Sequence, residues 1–194
     1  MYPDFTAHSL SAEHYFYTGS LPAGLLASLS FESLWQLHPA DYHIITIHGK
    51  DVPTPRWQQA YGKNYAYTGR VNQALPIPDC LHELHTWIKE KIDPRLNGLL
   101  LNWYDGEKSH YIGRHRDSTV NIVQGAPIVT VSLGGFRPFR LRPFRGKGFR
   151  DFGAENGSVF IMPYIVNKAF THEVPAMKKY VRRRISVTFR AFAE

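Results

Sequence analysis

Ten histidines are spread through this 194-residue chain, and one place among them has the spacing of metal ligands. His115-Arg116-Asp117 sets an imidazole and a carboxylate two residues apart, and in an extended segment residues i and i+2 project to the same side. His172 supplies a third donor, following a predicted strand at Ser158–Met162. Two histidines and one carboxylate on one face of a metal leave coordination positions open for a cosubstrate and O2, as non-haem Fe(II) oxidation requires. Zinc takes the same donors, so the triad alone leaves both metals open.

A second pattern lies near the C-terminus. Arg184, Ser186, Thr188 and Arg190 alternate with Ile185, Val187 and Phe189, so the polar set shares one sheet face. The plain reading is a solvated strand face. Turned into a barrel, each arginine becomes a buried cation in need of an anion. A dicarboxylate would meet both, because the guanidinium fork matches carboxylates. Asn102 and Tyr104 face one way on the strand that leads to the His115 loop, and they offer an amide and a phenol to the same anion.

The elements that must carry these groups are legible in outline. Leu21 to Gln36 has apolar residues at helical spacing with Pro22 in the first turn. His43 to His48 reads as a strand ended by Gly49-Lys50-Asp51, and Cys80 to Ile92 as an amphipathic helix with Asp79 as N-cap. From Leu99 the pattern changes to short strands at Leu99–Tyr104, Ile128–Leu133, Phe139–Arg142, Ser158–Met162 and Ile185–Phe189, punctuated by glycine. Helices before and strands after predict an α+β protein with a sandwich or jelly-roll body.

Composition sets the frame. The chain is 43% apolar and 20% charged, which excludes disorder and suits one domain over residues 1–194. No stretch reaches the roughly 20 apolar residues of a membrane span. Met1-Tyr2-Pro3-Asp4 does not open a signal peptide, so the expectation is a cytoplasmic bacterial or nuclear eukaryotic protein that is not secreted and acts as a monomer. A single cysteine, Cys80, excludes an internal disulfide framework. The 23 Lys and Arg against 16 Asp and Glu give a formal charge of +7, which favours an anionic partner, with nucleic acid first. Phe136 to Arg150 concentrates that charge, with Arg137, Arg140, Arg142, Arg145, Lys147 and Arg150 among four phenylalanines and no acid. Alternation there predicts buried Phe and outward Arg on a phosphate-binding surface. A solvated edge strand is the competing reading.

Together the motifs resemble the AlkB family of Fe(II)- and 2-oxoglutarate-dependent nucleic-acid dealkylases. The resemblance runs from about Thr46 to the C-terminus, on Asn102-x-Tyr104-Asp105-Gly106, His115-x-Asp117, Pro127-Ile128-Val129, Ser132-Leu133-Gly134, Gly157-Ser158-Val159, His172-x-Val174-Pro175 and Arg184-x-Ser186-x-Thr188-x-Arg190. Upstream, Pro55-Arg56-Trp57-Gln58-Gln59-Ala60-Tyr61-Gly62 and Tyr65-Ala66-Tyr67-Thr68-Gly69 resemble the nucleotide-recognition lid of the DNA-repair branch. The resemblance implies a double-stranded β-helix (jelly roll) over about 99–194, with N-terminal helices and the lid over about 1–98.

It also implies Fe(II) held by His115, Asp117 and His172, 2-oxoglutarate as cosubstrate, and O2. Arg184, Asn102 and Tyr104 would meet the far carboxylate, with Ser186, Thr188 and Arg190 towards the chelating end. The implied reaction is oxidative dealkylation of methyladenine- or methylcytosine-type bases in single- or double-stranded DNA; the alternatives are the same chemistry on RNA or a small molecule, or a non-catalytic nucleic-acid binder that keeps the barrel. Tyr67 would stack on the flipped base beside Tyr65 and Thr68, while Arg56 would reach phosphate or base edge. Three departures stand out, the first being Ser186 where the family's Arg-x-Asn segment carries asparagine. Ser118-Thr119 follows the metal motif where the repair enzymes usually carry another acid, and His48-Gly49-Lys50 lies where duplex-active members carry an apolar wedge.

Overall fold

Strand alternation near the C-terminus sets the centre of the fold, and the rest of the chain is arranged around it. The structure, a computed structural model, describes residues 2–67 and 69–193. The first half contains β1 (Thr6–Ser9), β2 (Tyr15–Ser20), α1 (Ala23–Ser28), α2 (Phe31–Trp35), β3 (Ile44–Ile47), β4 (Lys50–Pro53), β5 (Trp57–Tyr61), β6 (Tyr65–Tyr67), β7 (Arg70–Asn72), β8 (Ala74–Leu75) and α3 (His82–Lys91). The second contains β9 (Gly98–Tyr104), β10 (Ile112–His115), β11 (Ile128–Gly134), β12 (Arg137–Pro143), β13 (Arg150–Ala154), β14 (Ser158–Met162), α4 (Tyr164–Ala169), β15 (Phe170–Val174) and β16 (Arg184–Arg190).

The strands form an eight-stranded sheet in the order β1-β2-β14-β11-β16-β9-β5-β8 and a four-stranded sheet in the order β10-β15-β12-β13. Two hairpins, β3–β4 and β6–β7, stand as separate two-stranded units. This is the jelly-roll architecture. In β16, Ile185, Val187 and Phe189 point outward into the main core with Val129, Val131, Leu101 and Trp103, under Leu25, Leu34, Leu84 and Ile88 of the helices. The opposite faces meet between the sheets, where Phe16, Ile128, Phe160 and Met162 pack on Phe139, Leu141, Phe152 and Phe170. Sandwiching both faces of the large sheet explains why its central strands β9 and β16 are buried along their full length.

Several expectations are corrected. The helix expected over Leu21 to Gln36 is broken at Leu29, and the Ser30 side chain accepts the Ser33 backbone N–H to start α2 afresh. A serine hydroxyl competes for the backbone in this way and restarts helices. Trp103 Nε1 then donates to the Leu34 carbonyl at 2.8 Å and pins α2 to β9. Asp79 caps nothing: it opens a 3-10 turn over Asp79–Leu81 that leads into α3. The expected order of helices before strands also fails, because β1, β2, β5 and β8 complete the large sheet from the first half of the chain. Of the four phenylalanines in the basic stretch only Phe139 is buried, whereas Phe136, Phe144 and Phe149 are exposed. No helix among the described residues is long and apolar enough to cross a membrane.

Candidate active site

Between the two sheets and beneath the hairpins lies a cavity of about 470 Å³. The large sheet contributes Asn102 and Tyr104 from β9, Thr130 from β11, and Ser186, Thr188 and Arg190 from β16. The small sheet contributes Ile112 to His115, Phe139, His172 and Val174, and the hairpins contribute Ile45, Ile47, Tyr65 and Tyr67.

His115, Asp117 and His172 converge on this cavity, with one donor atom from each lying within 4.8 Å of the others. Strand pairing brings the imidazoles together, since His115 at the end of β10 is registered against His172 in the middle of β15. His172 is thus a strand residue, separated from Ser158–Met162 by α4. Asp117 follows β10 in a loop, and Asn167 of α4 fixes its backbone there. The Asp117 N–H donates to Asn167 Oδ1 at 3.0 Å, and Asn167 Nδ2 donates to the Asp117 carbonyl at 3.1 Å.

The side chains are oriented as sharply. Arg190 donates to Asp117 Oδ2 through Nη2 at 2.6 Å and Nε at 3.0 Å. That leaves Oδ1, which is 3.5 Å from Nε2 of both His115 and His172. His115 Nδ1 is paired with the Gly113 carbonyl at 2.8 Å, so its Nε2 is left free to ligate. Burial opposes ionisation of Asp117, yet the Arg190 charge and the two histidines hold its carboxyl well below the usual range. Burial, together with the His115 charge, lowers the pKa of His172. A carboxylate and two imidazole nitrogens around one point fit Fe(II).

The anion end also fits the expected cosubstrate. Arg184 is fully buried, and its Nε donates to Ser132 Oγ at 2.9 Å. Its Nη1 and Nη2 are sealed from solvent with no partner in the protein. Its guanidinium lies 5.1 Å from the ring of Tyr104, which lines the cavity. Buried charged donors are costly unless an acceptor meets them, and a carboxylate is the acceptor of matching shape.

The lid residues fall into three groups. Arg56, Tyr65, Tyr67 and Ser118 line the cavity. Tyr65 is buried under the Arg190 guanidinium, 4.3 Å from its ring centre, and burial raises its phenol pKa. Arg56 is corrected as a phosphate contact: it is 4% exposed, donating to Asn102 Oδ1 at 2.7 Å and Gln58 Oε1 at 3.0 Å. His48 and Gly49 form the two-residue turn of β3–β4, with φ of 48° and 75°, and do not line the cavity. Both central residues of such a turn need positive φ, which glycine gives freely. Lys50 begins β4 beside them, exposed. Thr68 lies outside the described residues.

The basic stretch is divided. Arg137 is corrected, being buried and donating to the carbonyls of Phe136 and Arg182. Arg140 and Arg142 are ion-paired: strand register sets Arg140 against Asp151 at 2.6 Å, and Arg142, registered with Thr171, reaches diagonally to Glu173 at 2.8 Å. Arg150 reaches back to the Ser9 carbonyl and His8 of the β1 strand. Arg145 and Lys147 stand exposed on the turn between β12 and β13. Sequence reasoning missed Ser132, Gln58 and Asn167. The alternation of Thr130 and Ser132 with Val129, Val131 and Leu133 was a signal for the first, but nothing local marks the other two.

A family model for the 2OG-Fe(II) oxygenase superfamily matches residues 27–190. The chain belongs to that superfamily, in its AlkB family. Its cofactors are accordingly Fe(II), 2-oxoglutarate and O2. It is 28% identical over 157 residues to the human DNA oxidative demethylase ALKBH2, a match covering 75% of this chain and 60% of that one. The mouse protein of the same name is also 28% identical, with 75% of this chain and 65% of that protein covered. The chain thus spans about 60% of the length of the curated relatives it matches. The solved structure of OsALKBH1 has a TM-score of 0.60 at 16% identity and covers 95% of this chain and 99% of that one, a likeness of fold.

Proposed function

We propose that this protein removes alkyl groups oxidatively from N-alkylated bases in DNA, methyladenine and methylcytosine being the substrate type its resemblance implies. The observation that carries this is the junction of three things: the His115, Asp117 and His172 donors and the paired tyrosines of the lid, which line one cavity, and the unanswered Arg184 donors sealed behind its lining residue Tyr104. The ALKBH2 relatives, named as DNA oxidative demethylases, support the choice of substrate.

In this reading His115, Asp117 and His172 hold Fe(II), and Arg190 keeps Asp117 ionised and turned towards it. Arg184, steadied by Ser132, takes the far carboxylate of 2-oxoglutarate, while Asn102, Tyr104, Ser186 and Thr188 shape the chamber around it. Iron, cosubstrate and O2 would together supply hydroxylation of the N-alkyl carbon, one oxygen atom entering the substrate and the other the succinate formed from 2-oxoglutarate with loss of CO2; the hydroxylated base then releases aldehyde and leaves the N–H base. Tyr67 stacks on the extruded base with Tyr65 at the back wall, and the closed lid excludes water. Arg145 and Lys147 meet phosphate. The site of action is cytoplasmic in a bacterium or nuclear in a eukaryote.

The test is release of formaldehyde and succinate from methylated oligonucleotides with Fe(II) and 2-oxoglutarate, with matched RNA and free nucleosides beside them. Substrate-dependent succinate is expected from DNA, and Asp117→Ala is expected to abolish it while DNA affinity persists. No turnover on any methylated DNA, with iron demonstrably bound, would sink the proposal.

A further inference from the structure

The substrate half of the cavity carries charge of one sign. Arg56, Arg114 and Arg116 line it, and their hydrogen bonds go to neutral groups. Arg56 donates to the Asn102 and Gln58 side chains, Arg114 to Thr171 Oγ1 and the Pro143 carbonyl, and Arg116 to the Lys168 carbonyl. Among the described residues none of the three has a carboxylate within ion-pair distance. Asp117 is the one acid in the lining, with Oδ2 taken by Arg190 and Oδ1 turned to the histidines. The position after it is Ser118, which also lines the cavity and brings no charge.

Loading the site leaves this imbalance in place. The two charges of iron cancel the two of the dicarboxylate, Asp117 cancels Arg190, and Arg184 adds a further positive charge. A base that arrives as a cation therefore finds no free carboxylate, the buried Arg56 guanidinium, and the exposed Arg114 and Arg116 in the lining. A neutral base with a ring carbonyl finds the opposite. Gln58 ties Arg56 to Tyr67, accepting from the guanidinium and donating to the phenol oxygen. A charged donor is thus held close to Tyr67, and a carbonyl oxygen is its natural acceptor.

We propose that the alkylated base accepted here is neutral and presents a carbonyl next to the alkylated nitrogen, as N1-methylguanine and N3-methylthymine do. The cationic N1-methyladenine and N3-methylcytosine are the poorer substrates. This rests on the dealkylase reading above and replaces the methyladenine and methylcytosine type that the resemblance implies with the neutral type.

The test uses short single-stranded oligonucleotides that each carry one of these four bases. Binding to the protein loaded with Fe(II) and 2-oxoglutarate is measured without O2, and turnover after O2 is admitted. Binding and kcat/KM are expected to favour the neutral pair by at least about tenfold at low salt. Arg116→Glu, a change at an exposed position, and Ser118→Asp are each expected to narrow that gap by improving the cationic pair. Equal or tighter binding of the cationic pair by the unaltered protein overturns the charge assignment and leaves dealkylation standing. Absence of formaldehyde from all four bases overturns the dealkylase reading itself.

Discussion

Arg184 shows how much one buried side chain can disclose. Its Nε is satisfied by Ser132, whereas Nη1 and Nη2 have no acceptor in the protein, and burial lowers its pKa. A cation left in that state destabilises the cosubstrate-free fold, so Arg184→Met is expected to raise the melting temperature of the protein without 2-oxoglutarate. The same change removes a charge-assisted pair of about 1.5–3 kcal/mol and raises the KM for 2-oxoglutarate by about tenfold to a hundredfold. The nucleic-acid KM should stay put. Thermal melts with and without 2-oxoglutarate, plus initial rates of succinate formation, check both halves; a variant that melts lower and keeps its KM contradicts the assignment. Arg184 was legible because period-two alternation exposes a strand's faces. Arg137 was misread by that same rule, because alternation reports which residues share a face and not whether that face meets solvent.

At the scale of elements, the lid is built from two hairpins that belong to neither main sheet, and isolated hairpins are marginal on their own. Side chains tie them together: Arg70 pairs with Asp51 across the two, and Thr46 Oγ1 donates to Asp51 Oδ1 at 3.0 Å. Hydrogen bonds from Arg70 and Thr46 hold the Asp51 carboxyl below the ordinary carboxylate range. A depressed pKa means the tie is present above that range and lost as pH falls through the lowered value. Because the pair is exposed, its loss is mild: Asp51→Asn should raise the KM for a methylated oligonucleotide by about twofold to fivefold and leave the 2-oxoglutarate KM unchanged. A shift in the second constant would place Asp51 in some other role. The central strands β9, β11, β14 and β16 were readable within a residue or two, being long and regularly patterned. The strands β5, β13 and β15 were not, since Gln58, Arg150-Asp151 and Thr171-His172 put polar groups where they face the cavity or ion pairs supplied by distant partners. No local pattern announces a partner far along the chain.

For the whole molecule, the histidines couple stability to acidity. Burial lowers the pKa of His8, His43, His85 and His110 from the ordinary 6.5. Such groups stay neutral in the fold but take up protons once exposed, so stability is complete above 6.5 and drains away as pH falls below it. The melting temperature of the metal-free protein should drop by several degrees between about pH 7.5 and about pH 5.5, at roughly 2–4 °C per kcal/mol for a chain of this size. A flat profile would show that these rings are freely hydrated. The +7 formal charge now divides into cations sealed at the anion end, cations neutralised by Asp151 and Glu173, and cations at the cavity and on the β12–β13 turn. The sheet order has a consequence of its own. β16 is made after both β9 and β11 yet lies between them, so those neighbours leave the ribosome with bare edges and wait for it. Collapse before Arg184–Arg190 emerges would trap unpaired strands, which makes nascent and truncated chains the forms most in need of a chaperone.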